Sequence, residues 1–149
     1  MKNKIKVIIA ILVVFSISLS ASSQNHATTI KVQAMDMATA LMKNDFTTFS
    51  KYMHPNIIAF AGGKENMKSK MDSAYAAMKL FGVTFKKYWI GSPGEIVDYK
   101  NQLQAVLPES TVIKTPLGEL TAETSMIVIS TDKGKLYIRR NSGLSRWEY

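Results

Sequence analysis

The chain has 149 residues, no cysteine, 46% hydrophobic residues and a formal charge of +8. That is the size of one domain, with enough apolar sequence to bury a core without staples. The missing cysteine excludes disulfides and a lipid-modified cysteine, and the scattered basic pairs (Lys86-Lys87, Arg139-Arg140) form no basic and aromatic stripe for nucleic acid.

Residues 1–23 read as a signal peptide. Lys2, Lys4 and Lys6 open it, Val7 to Leu19 is apolar but for Ser16 and Ser18, and Ser20, Ala21, Ser22 and Ser23 close it. The apolar run of about 13 residues is short of the roughly 20 that span a bilayer. Cleavage before Gln24 is therefore expected, leaving residues 24–149 as one exported domain, periplasmic or secreted. Only an uncleaved signal would tie it to a membrane. Removing three of the 19 basic residues and none of the 11 acidic ones lowers the formal charge from +8 to +5.

Beyond the signal, a helical first half gives way to a strand-rich second half. That order predicts an α+β domain. Met35, Ala38, Leu41 and Met42 give a helix over 28–43 one apolar side. Asp45 suits an N-cap for a short helix over 46–53 that carries Phe46, Phe49 and Met53. His54-Pro55 stops it, since a residue before proline is pushed out of the helical region. Ile57 to Phe60 reads as a brief β run before the Gly62-Gly63 turn. A third helix over 64–81 aligns Met67, Met71, Ala74, Met78 and Phe81, with Gly82 as its left-handed stop.

From Val83 the period falls to two, with Val83, Phe85, Lys87 and Trp89 on one predicted face. A short strand over 95–97 follows the Pro93-Gly94 turn. Gln102 to Thr115 reads as one long strand bent at Pro108, which lacks a ladder donor and should lie at an edge or bulge. Pro116-Leu117-Gly118 makes a hairpin, Leu120 to Thr131 the next strand, and Lys135 to Arg139 the last.

Four stretches carry a family resemblance: Ala40-Leu41-Met42-Lys43-Asn44-Asp45-Phe46, Tyr52-Met53-His54-Pro55-Asn56-Ile57-Ile58, Gly62-Gly63-Lys64-Glu65-Asn66-Met67, and Ile90-Gly91-Ser92-Pro93-Gly94-Glu95-Ile96-Val97. Over about residues 30–134 the chain resembles the nuclear transport factor 2-like superfamily, which includes SnoaL-like cyclases and ketosteroid isomerases. The resemblance implies a cone: three N-terminal helices on a curved, mainly antiparallel sheet. It implies no particular chemistry, because the fold hosts enzymes, binders and assembly subunits. The C-terminal strand and tail, about residues 135–149, depart from the family pattern, which there carries a Trp- and Phe-containing strand.

Two residues are candidate bases. His54 is a candidate because histidine is the side chain best suited to acid–base work near neutral pH, although a histidine at a helix end also serves as a hydrogen-bonding group. Glu123 alternates with Ser125, Ile127 and Ile129; that face is either the concave one or the open rim. The methionines fit a core or pocket lining better than a copper site. No HExxH, P-loop or dinucleotide motif occurs, so neither a metal nor a cofactor is expected. The leading expectation is a pocket for a small apolar molecule or a protein partner, lined by Met42, Phe46, Phe49, Met71, Tyr75, Met78, Trp89 and Ser125. A cofactorless isomerase, cyclase or dehydratase and a subunit that homodimerises through its sheet are the alternatives.

Overall fold

The computed structural model describes residues 25–140. The expected signal segment and the tail from residue 141 lie outside the described residues. Residues 25–42 are helical (α1), followed by α2 (Phe46–Lys51), α3 (Pro55–Phe60) and α4 (Lys64–Leu80). The strands are β1 (Thr84–Ile90), β2 (Val97–Tyr99), β3 (Gln102–Thr115), β4 (Gly118–Ser130) and β5 (Ile138–Arg140). The architecture is α+β, helices first and then one open antiparallel sheet. Four described helices precede that sheet, one more than expected.

Local chemistry explains the extra helix. The β run expected at Ile57–Phe60 is helical, because Pro55 is preset for the first turn and has no N–H to leave unsatisfied. His54 caps that turn: its Nδ1 accepts from the Asn56 N–H at 3.2 Å. Asp45 caps α2 as expected, accepting from the Thr48 N–H at 3.1 Å. At the end of α4, the Val83 N–H reaches the Met78 carbonyl (2.8 Å) and the Gly82 N–H the Lys79 carbonyl (3.2 Å). This Schellman closure needs a left-handed residue, and Gly82 supplies it at φ +64°.

The buried stripe of α1 is Ile30, Ala34 and Met37, continued by the half-buried Leu41, with Ala38 and Ala40 beside it. Met35, expected on that stripe, is exposed. The stripe packs on the inner face of the sheet, where Ile90, Ala105, Leu107, Met126 and Val128 complete the core. Strand order is β1-β3-β4-β5, with β2 also on β3. Leu107 pairs with Met126 and Ala105 with Val128, so odd positions of β3 and even positions of β4 face the helices.

Pro108 lies inside β3, where that strand changes partner from β2 to β1. Its carbonyl accepts from the Gly91 N–H at 2.9 Å. N and C=O of one strand residue point the same way, so the missing donor falls in the gap between β2 and β1.

Candidate functional site

A β-bulge decides which residues can share a pocket. The β1–β3 register slips between Phe85 and Lys87, leaving Lys86 unpaired. Strict alternation would keep Phe85, Lys87 and Trp89 together. The bulge instead points Phe85, Tyr88 and Ile90 toward the helices, and turns Lys87 and Trp89 to the outer face. The sheet therefore divides the expected lining into two groups.

The inner group lies against α4. No residue of α4 is fully buried, so this helix rests loosely on the body. Between them runs a groove of about 380 Å³, lined by Leu41, Phe49, Met67, Met71, Met78 and Phe85 among others. Met42 lines an adjoining chamber of about 260 Å³ that shares Tyr75, Met78 and Phe85 with the groove. Tyr75 leans on Phe85, ring centroids 6.1 Å apart. Phe46 is half-buried against the core and lines neither space.

The electrostatics of the groove are sparse. Among the described residues the buried Tyr75 hydroxyl has no hydrogen-bond partner, and neither has Oδ1 of Asn44. Burial pushes the Tyr75 phenol up. Asn44 Nδ2 donates to Asp72 at 3.0 Å. The neighbouring Lys68 ammonium, 2.6 Å away, holds the Asp72 carboxyl below its ordinary range, and the Asn44 bond adds to this. Lys70 stands at the groove's rim and donates to the Ala61 carbonyl at 3.3 Å. Lys70 and Tyr75 are the titratable residues in the lining; it contains neither carboxylate nor imidazole. Such a groove can hold an apolar body and offer one hydroxyl.

The carboxylate that faces the helices is Glu109, which the sequence reading passed over. It is 5% exposed and pairs across the sheet with Ile90 and Thr124. Tyr88 and Thr124 donate their hydroxyls to its two oxygens, the Thr124 bond at 2.8 Å. Alternation along β3 would have revealed it, since Glu109 follows Leu103, Ala105 and Leu107 on one face. Both oxygens of this buried carboxyl group are thereby satisfied, as buried polar groups require.

Glu123, Trp89 and Ser125 form the outer group. Glu123 pairs with Ser110 and Ser110 with Trp89; Ser125 pairs with Pro108. They line an open groove of about 640 Å³ with Lys87 and Val112. His54 joins neither group; its ring nitrogen is engaged at the start of α3. Among the described residues, no cluster of three His, Asp or Glu side chains could hold a metal ion. No helix among them is long and apolar enough to cross a membrane. No protein-family model matches this chain, and no curated protein matches it either.

Proposed function

We propose that this protein is an exported binding domain, of nuclear transport factor 2-like type, that holds a small apolar molecule between α4 and the body. The supporting observation is the groove beneath α4, whose aromatic and thioether lining surrounds a buried hydroxyl with no partner among the described residues. Apolar walls with one convergent polar group are the usual composition of a small-molecule pocket. Methionine suits such a wall because its side chain adapts to differently shaped ligands. The order of helices then antiparallel sheet is compatible with the family, and residues 1–23 would supply the export signal.

Native mass spectrometry of protein purified from its own host should show a co-purifying molecule. Met71→Lys should abolish that adduct and lower the affinity for a hydrophobic dye such as anilinonaphthalene sulfonate at least tenfold. No adduct together with dye binding unchanged in Met71→Lys would refute the reading.

A further inference from the structure

The geometry points to a second binding site on the opposite face of the sheet: a carbohydrate-binding platform built on Trp89, with Ser110, Glu123, Ser125 and Lys87 as its polar edge. This site is separate from the groove beneath α4 and stands whether or not that groove is filled.

The platform is preformed by a missing side chain. Gly91 follows Trp89 by two residues, so both belong to the outer face. A Cβ at position 91 would come within 3.0 Å of Trp89 Cη2 and 3.2 Å of Trp89 Cζ3, and within 3.2 Å of Pro108 Cβ. The six-membered ring of the indole therefore lies down over Gly91, beside Pro108, instead of standing off the sheet. Gly91 is buried as a result, while Trp89 remains 53% exposed. A large aromatic is held along the strands with much of its surface open to water.

The edge of the platform mixes donors and acceptors. Ser110 lies directly across from Trp89, and Glu123 directly across from Ser110. Ser125 faces Pro108 one pair further along β4, and Lys87 precedes Trp89 on the same side of β1. All five line one groove of about 640 Å³. Lys86 and Glu119 are paired with each other nearby. Among the described residues Lys87 and Glu123 make no such pair, which leaves one ammonium and one carboxylate for a ligand.

This combination selects by chemistry. An apolar ligand gains nothing from desolvating a carboxylate and an ammonium. A nucleic acid could stack on the indole, but with Glu123 beside Lys87 the groove offers its phosphates no excess of positive charge. A pyranose has an apolar C–H face to lay on the ring and hydroxyls around its rim that both donate and accept. Glu123 accepts from those hydroxyls, Lys87 donates to them, and the two serines do either.

The test is a titration of isotope-labelled full-length protein with maltotriose, cellotriose and chitotriose at millimolar concentration, followed by NMR. The chain has two tryptophans, so Trp89→Phe assigns the two indole N–H signals. At least one of the sugars should move the Trp89 indole signal saturably, together with the amides of Ser110 and Glu123. Trp89→Ala should weaken that binding at least tenfold. Gly91→Ala, whose new Cβ lifts the ring, should weaken it several-fold with the circular dichroism spectrum unchanged. Binding of none of the three sugars overturns the proposal. So does binding that survives Trp89→Ala, or a Trp89 signal that follows protein concentration because a second copy covers the face.

Discussion

Single side chains set the local structure here, and two of them make sharp predictions. His54 was a candidate base, and its ring nitrogen is the N-cap of α3. His54→Ala should lower stability by about 1 kcal/mol, while His54→Asn, which restores a capping oxygen, should recover most of it; denaturant midpoints of the two variants decide this. Asp132 makes a similar local clasp. One oxygen accepts from the Ser130 hydroxyl (2.7 Å) and from the Leu136 (2.9 Å) and Lys135 (3.1 Å) N–H groups. These bonds, Leu136 first, hold its carboxyl below the ordinary value of 3.8. A lowered folded-state value means the stabilisation is whole above pH 3.8 and fades as pH falls through the lower value. Asp132→Asn keeps an acceptor but does not titrate. Its urea midpoint should therefore fall less than the parent's below that pH, and parallel pH profiles would remove Asp132 from the account.

At the scale of elements, α4 behaves differently from α1. Most of the inner stripe of α1 is buried (Ile30, Ala34 and Met37), and α4 has no buried residue. Local opening is cheapest where few apolar contacts are broken. Amides of α4 should thus exchange with deuterium faster than those of α1, and a ligand in the groove should slow α4 selectively. Equal protection in both helices would mean that α4 is not the mobile wall. The same contrast shows what could be read from the sequence. The bounds of β3 and the start of α4 follow from period and turn residues, as do the Asp45 cap and the Gly82 stop. The stripe Met67, Met71, Met78 was legible as one helical face, and it lines the groove. Trp89 was misplaced beside it because a period of two assumes an unbroken ladder, and the Lys86 bulge breaks it. Ser125 and Glu123 lie at odd, outer-facing positions of β4, whose register with β3 is unbroken, so only the choice of face was at issue there. A bulge depends on cross-strand pairing, which one strand's own residues do not encode. The helix at Pro55–Phe60 was missed because Ile57-Ile58 favours strands, whereas a proline-led, capped turn overrides that preference.

Over the whole molecule, the fold is closed by contacts between residues far apart in sequence. Gln33, in the middle of α1, donates through Nε2 to the Lys135 carbonyl at 2.8 Å. Its Oε1 accepts from the Tyr137 N–H at 2.7 Å. One amide therefore satisfies two backbone groups of the segment leading into β5. His26 adds to the clasp, its Nδ1 lying 3.2 Å from the Tyr137 hydroxyl and its ring against Gly134. A Cβ at position 134 would fall 2.2 Å from that ring, and the backbone there is left-handed at φ +87°. The sheet's last strand is thus registered against the first described helix by a side chain that reads the backbone directly. Removing the amide would strand the part-buried Tyr137 N–H, at a cost of about 1–3 kcal/mol, whereas the exposed Lys135 carbonyl can turn to water. Gln33→Ala should lower stability by about that amount. The loss should also spread to both partners, because neither end of the clasp is held by the other once the amide is gone. Exchange of the Tyr137 amide should accelerate together with that of the first turns of α1. If Tyr137 alone accelerates while α1 keeps its protection, the helix is held by its apolar stripe and the clasp serves only the strand.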